Sequence, residues 1–204
     1  MQGGYQVMSV GQLANGLWAA GEKGTGWAGF RVYLACFELA AIRAAAGRSR
    51  SPGRRKGGRR NHFQVGELVR VTGLRPEAAR RALRGLEAHG LVTFTPASLT
   101  LLKEPLAPAA GLASQLAGVR SVARPVPVPR VLLRHWAKQR HAGRVKVMLG
   151  YLVRGLTLAP RTGEVRAKGT VKASWLARTL GLSLRPVRYA QARLRREGSV
   201  PKDT

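Results

Sequence analysis

The segment ELVRVTGLRPEAARRALRGLEAHGLV, Glu67–Val92, lies without a gap over WLARTLGLSLRPVRYAQARLRREGSV, Trp175–Val200. Leu68 falls on Leu176, Arg70 on Arg178, Gly73 on Gly181 and Leu74 on Leu182. Further on, Arg80 meets Arg188, Ala82 meets Ala190, Leu86 meets Leu194, Gly90 meets Gly198 and Val92 meets Val200. Agreement in this order marks an internal repeat, so the chain builds one local unit twice.

Each copy reads as a short helix, a turn and a longer helix. In the second, Trp175, Leu176 and Leu180 make the apolar side of a helix over 173–180, which Gly181 ends because glycine accepts the left-handed conformation of a C-cap. Ser183 is the expected cap of the next helix, and Pro186 is tolerated in its first turn. Val187, Ala190 and Leu194 recur at helical spacing as the buried stripe, which leaves Arg185, Arg188, Tyr189, Arg193 and Arg196 outward. In the first copy Pro76 takes the first helical position, after Arg75, a poor N-cap. Ala79, Ala82, Leu83 and Leu86 form the stripe there, with Arg80, Arg81 and Arg84 toward solvent. After Gly90, LVTFTPASLTLL alternates and turns at Pro96–Ser98, which predicts a β-hairpin.

Charge decides the class of partner. Thirty-six Lys and Arg face nine Asp and Glu, for +27 in 204 residues. Such a chain repels itself and calls for a polyanion. Residues 47–62, GRSRSPGRRKGGRRNH, hold +7, and residues 131–204 hold +14. The first of these reads as a loop in which Arg54, Arg55, Lys56, Arg59 and Arg60 grip phosphates. Cys36 stands alone within an apolar run, a buried thiol and not a nucleophile. No secretory signal opens the chain and no apolar run spans a membrane, so a cytoplasmic, nucleoid-associated location is expected, with no membrane partner.

Helix, basic helix and hairpin together resemble winged helix-turn-helix DNA-binding domains. That resemblance implies a fold that is mainly α with short β-hairpins, as two tandem winged helix-turn-helix domains. The first is expected over 1–104, with the basic loop 47–62 and a long first helix, Trp27–Gly47. A Pro- and Ala-rich linker follows over 105–128, with PVPVP extended and a short helix near Ala113–Val119. The second domain is expected over 129–204, with VLLRHWAKQR and Arg144–Leu158 as helices behind its repeat and Gly163–Ser174 as a turn and short strand. Its wing is truncated or absent, since the chain stops at GSVPKDT. The resemblance further implies that the longer helix of each pair enters the major groove of DNA. The expected DNA-binding set is Arg75, Arg80, Arg81, Arg84, Lys172, Ser183, Arg185, Arg188, Tyr189, Arg193 and Arg196, with Lys168 also near phosphate.

Two such domains in one chain resemble the plasmid replication initiators of the two-winged-helix type. This implies double-stranded DNA of a plasmid or mobile element as partner, repeated sites, and a homodimer that switches to a monomer; Met1–Gly26 is the segment for self-association if the chain is instead a regulator. A transcriptional regulator of the winged-helix type is the alternative. An RNA-binding or ribosome-associated protein is a second one, favoured by charge but opposed by aromatics that are few and set in apolar runs. An enzyme is not expected. His62, His89, His135 and His141 form no His-x-His motif, there is no GxxxxGK loop, and Asp203 is the sole aspartate. Neither a cofactor, a metal nor a small-molecule substrate is indicated.

Overall fold

The computed structural model describes residues 4–21, 25–48, 64–94, 99–101, 107–118, 121–158, 165–167 and 171–196. Within them the chain is mainly helical with short strand pairs. It runs β1 (Tyr5–Ser9), α1 (Val10–Gly21), α2 (Gly26–Arg48), α3 (Val65–Thr72), α4 (Pro76–Ala88), β2 (Val92–Phe94) and β3 (Leu99–Leu101). It continues as α5 (Ala107–Ala117), β4 (Pro125–Pro129), α6 (Arg130–Lys138), α7 (Ala142–Gly155), β5 (Leu156–Leu158), β6 (Val165–Ala167), α8 (Ala173–Leu180) and α9 (Leu184–Arg196). Among the described residues no helix is long and apolar enough to cross a membrane.

The two repeat copies fold alike to the residue: α3 and α8 occupy aligned positions, and so do α4 and α9. Gly73 and Gly181 end the first helix of each pair in the left-handed region, at φ 67° and 60°, with the cap N–H donating to Val69 O and Ala177 O. A side chain at either position would be strained, which is why both copies hold glycine there.

The chain divides into two compact units that are not contiguous in sequence. One comprises Met1–Gln6, Gly16–Lys103 and Pro129–Gln139; the other comprises Val7–Asn15, Glu104–Val128 and Arg140–Thr204. This differs from the expected division at 1–104, 105–128 and 129–204.

In the first unit α2 is central. Phe30, Val32, Tyr33, Leu34, Ala35, Cys36 and Phe37 are all buried, so this helix has no wet face over that stretch and must be surrounded. α3, α4 and α6 pack on it. Arg31, buried on α2, donates through Nε to Ala137 O at 2.8 Å and through Nη2 to Thr72 O. Both acceptors lie in the last turns of α6 and α3, where carbonyls lack intrahelical partners and favour a cation. α6, expected in the second domain, belongs here. Its Leu133, Trp136 and Ala137 are buried, and Arg130 and Arg134, one helical turn apart, pair with the fully buried Glu38 of α2. The hairpin after α4 is present, with β2 and β3 antiparallel and Val92 opposite Leu101, Thr93 opposite Thr100 and Phe94 opposite Leu99.

In the second unit α7 takes the central place, with Val145 and Val147–Val153 buried and α5, α8 and α9 packed on it. Gly150 lets α8 approach closely, because a Cβ there would run into Leu176 Cδ2. The expected linker is instead part of this core. α5 begins at Ala107 and not Ala113, and it buries Ala109, Ala113, Leu116 and Ala117. PVPVP is extended as expected but forms β4, paired with β1, with Val126 and Val128 buried. Alternate prolines leave only Val126 and Val128 with N–H groups, so β4 can donate along one edge alone. Each unit thus completes its core with a helix from between the repeats, α6 in one and α5 in the other. Two further expectations change. Leu156–Leu158 leaves the helix after Gly155 and pairs with β6 as a hairpin ahead of α8. Trp175 is half-buried, not core, with the Arg154 guanidinium 5.3 Å from its ring centre, while Thr179 joins Leu176 and Leu180 inside.

Candidate nucleic-acid interface

α4 and α9 each bury one stripe and expose another. On α4, Ala79, Ala82, Leu83 and Leu86 are buried; on α9, Val187, Ala190, Gln191 and Leu194 are buried. The opposite stripe follows the spacing i, i+3, i+4, i+7, i+8, i+11 that one helix face requires. On α9 it reads Arg185, Arg188, Tyr189, Ala192, Arg193 and Arg196, all exposed, with Tyr189 at 67%. Arg185 and Arg196 are about 16 Å apart along the helix axis, at 1.5 Å rise per residue. On α4 the same register gives Glu77, Arg80, Arg81, Arg84, Gly85 and Ala88.

The stripes differ in reach and charge. Gly85 is covered: a Cβ there would collide with Thr25 Cγ2, and Thr25 is itself buried with its hydroxyl donating to Ala19 O. The His89 ring then meets Trp18 edge-on at 4.8 Å. Thr25 and Trp18 therefore cover Gly85 and the His89 ring, and the exposed arginines of α4 are Arg80, Arg81 and Arg84. On α9, Arg193 and Arg196 stand where Gly85 and Ala88 stand on α4, so that face is basic along its length. Three arginines and two glutamates lie on α4, against five arginines and no acid on α9.

The approach to each helix is also built from exposed groups. Arg75, with extended backbone at φ −67° and ψ 147°, precedes Pro76 and makes no side-chain cap bond, as its residue type implies. Ser183 is exposed ahead of α9 and its carbonyl accepts from the Val187 N–H at 3.4 Å. Lys172 is exposed at the N-cap position of α8. The basic-loop residues Arg54, Arg55, Lys56, Arg59 and Arg60 lie outside the described residues, as do Lys168 and residues 197–204, where a second wing would fall. Arginines so placed offer planar forks of donors that match phosphate oxygens or the guanine edge.

Three features escaped the sequence reading. Arg70 and Arg178 are both exposed in the last turn of the first helix of each pair, and their alignment was the available signal. Gln191 sits 5% exposed within the α9 stripe, where Leu83 stands on α4; its Nε2 donates to Tyr151 Oη at 2.6 Å and to Val171 O at 3.0 Å. That bond pair sets the rotation of α9 against α7. Nothing in the local pattern marks Gln191 as inward. The third is the Glu38 cluster, whose partners are far apart in sequence. Cys36 is fully buried, and burial pushes its thiol up to about 12, far from the range of a reactive thiolate. Comparison with protein-family models, curated proteins and solved structures finds no match.

Proposed function

We propose that this chain is a sequence-specific double-stranded DNA-binding protein of two tandem winged helix-turn-helix units, with α4 and α9 as recognition helices. One observation carries the reading: the same helix–turn–helix is built twice, and each time the exposed stripe of its longer helix presents arginine. The β2–β3 hairpin follows α4 where a wing belongs. Arg80, Arg81, Arg84, Arg185, Arg188 and Tyr189 then address base edges near the start of each helix, while Arg75, Lys172, Ser183, Arg193, Arg196 and the loop 54–60 hold backbone phosphate. With about 6–10 phosphates neutralised, affinity falls steeply with salt. For the role, two units in one chain suit repeated sites, and we place the protein in the replication initiation of a plasmid or mobile element.

The test is to incubate the protein with sheared source DNA at about 150 mM salt, where non-specific phosphate binding is weakened, and to sequence the retained fragments. Direct repeats near a replication origin are the expected enrichment. A single inverted site at a promoter would make the protein a regulator, and no enrichment would overturn the reading. At the preferred site Arg188→Ala should cost about 1–3 kcal/mol if the side chain reads a base; unchanged affinity removes it from the interface.

A further inference from the structure

The first unit holds a second concentration of positive charge, and this one is concave. A cleft of about 380 Å³ opens between α2, α3 and α6, with Arg70, Arg130, Arg134 and Lys138 around the single carboxylate of Glu38. Ile42, 42% exposed, and Val71 form its apolar wall. Four cations against one anion leave the cleft strongly positive, beside a low-dielectric surface that strengthens any charge contact made there.

Glu38 is spent on organisation. Its Oε1 accepts from Arg130 Nη2 at 3.0 Å and Arg134 Nε at 2.8 Å, and its Oε2 accepts from Arg130 Nε at 3.2 Å. Arg134 gives only its Nε to this pairing, so both its Nη groups keep their donors. Among the described residues they have no partner, and neither do the side chains of Arg70 and Lys138, both exposed. A buried carboxylate thus fixes one fork of donors by its back edge and leaves the front edge to the cleft. The same device orients metal-ligating side chains from behind. Two free cations complete the rim. A monovalent carboxylate would be matched by one arginine alone. Three cations with a fork suit a dianionic phosphate.

We infer that this cleft is a phosphate-binding site distinct from the α4 and α9 stripes, in which Arg70, Arg134 and Lys138 contact the oxyanion and Glu38 with Arg130 position Arg134. Its ligand is the phosphate of a free nucleotide or of a nucleic-acid backbone. The chemistry is the same, and the experiment separates the sources.

Inorganic pyrophosphate is titrated calorimetrically into the full chain, into Arg70→Ala/Lys138→Ala and into Arg144→Ala/Lys146→Ala, whose two cations are on α7 of the second unit and do not line the cleft. Both double variants remove two charges, so attraction by net charge alone predicts equal losses. The cleft predicts one pyrophosphate per chain, bound at least tenfold more weakly by Arg70→Ala/Lys138→Ala and unchanged in the other variant. Arg70 and Lys138 are exposed and hold no other element in place, and an unchanged melting temperature verifies the fold. The second arm repeats the comparison with a DNA duplex over a salt series. If pyrophosphate binds none of the three proteins measurably but the Arg70→Ala/Lys138→Ala pair lowers duplex affinity and flattens the salt slope by about one to two, the ligand is a backbone phosphate. Equal losses in both double variants, or no loss in either arm, would overturn the site. A wild-type chain that takes pyrophosphate but no duplex would refute the DNA reading and leave the cleft standing.

Discussion

Replacing Glu38 with glutamine tests how the first unit is held together. The carboxylate is fully buried and takes three charge-assisted bonds, at 2.8, 3.0 and 3.2 Å. Glutamine keeps the shape but removes the charge, and it turns a donor toward one of the guanidiniums in place of an acceptor. The two arginines do not suffer equally. Arg134 is half exposed and swings into water, whereas Arg130, at 18%, stays enclosed without a counter-charge. Removing one partner of a buried pair costs about 3–5 kcal/mol, and relaxation of Arg134 puts Glu38→Gln at the lower end, about 3 kcal/mol. Arg130→Gln should cost about the same by the same reasoning, and Arg134→Gln about 1 kcal/mol or less, as for exposed pairs. The double variant Glu38→Gln/Arg130→Gln should cost well below the sum, because the second change no longer strands a charge. Urea unfolding followed by tryptophan fluorescence reads the effect: Trp18, Trp27 and Trp136 lie in the first unit and Trp175 in the second, so two transitions are separable if the units unfold apart. A Glu38→Gln variant within 1 kcal/mol of the parent, or an Arg134→Gln variant as damaged as Glu38→Gln, would refute this account.

Other sites give independent checks. Gly16→Ala places a Cβ 2.7 Å from Tyr33 Cδ1 and 2.9 Å from Phe30 Cε2, on buried rings; overpacking of about 1–3 kcal/mol should outweigh the gain of about 1 kcal/mol in helix propensity. A higher melting temperature for this variant would show that α1 and α2 yield where the packing says they do not. Gln191→Leu copies Leu83 of the other repeat but removes both of its bonds and leaves Tyr151 Oη and Val171 O only their long mutual hydrogen bond of 3.5 Å, for a loss of about 1–3 kcal/mol by thermal unfolding; a neutral result would mean that this bond tightens to replace the two lost. For Cys36, burial raises the thiol from 9.0 to about 12, so the folded chain keeps its proton where the unfolded chain gives it up. Its contribution to stability is complete below pH 9 and is lost as pH rises toward 12, at up to about 1.4 kcal/mol per pH unit. Tyr33, raised by the same burial, acts in the same direction at higher pH. Cys36→Ala should flatten the profile above pH 9, measured by denaturant midpoints, and an identical slope in both proteins would contradict the assignment.

The legible parts of the fold are those set by neighbours in sequence. α3, α4, α8 and α9, the caps at Gly73 and Gly181, the long α2 and the β2–β3 strand pair all follow from apolar period, glycine and proline within a few residues, while the turn expected at Pro96–Ser98 lies outside the described residues. So does the outward arginine stripe, which is the complement of the buried one. Trp175 failed because its side was inferred from apolarity alone, while α7 offers it Arg154 at the rim of the core. Leu156–Leu158 failed because its three residues fit a helix end as well as a strand until β6 pairs with them. Gln191 failed because a polar residue is counted as outward unless buried partners for it are known.

By itself, then, the sequence determines that one helix–turn–helix is made twice and which faces of its longer helices stay wet, since helix period and capping act over one or two turns. Tertiary structure alone decides which core receives α5 and which receives α6, and that Arg130 and Arg134 meet Glu38. These depend on which apolar stripe and which buried charge come together across some ninety residues of chain, and the cost of burying a carboxylate is met only once the arginines arrive.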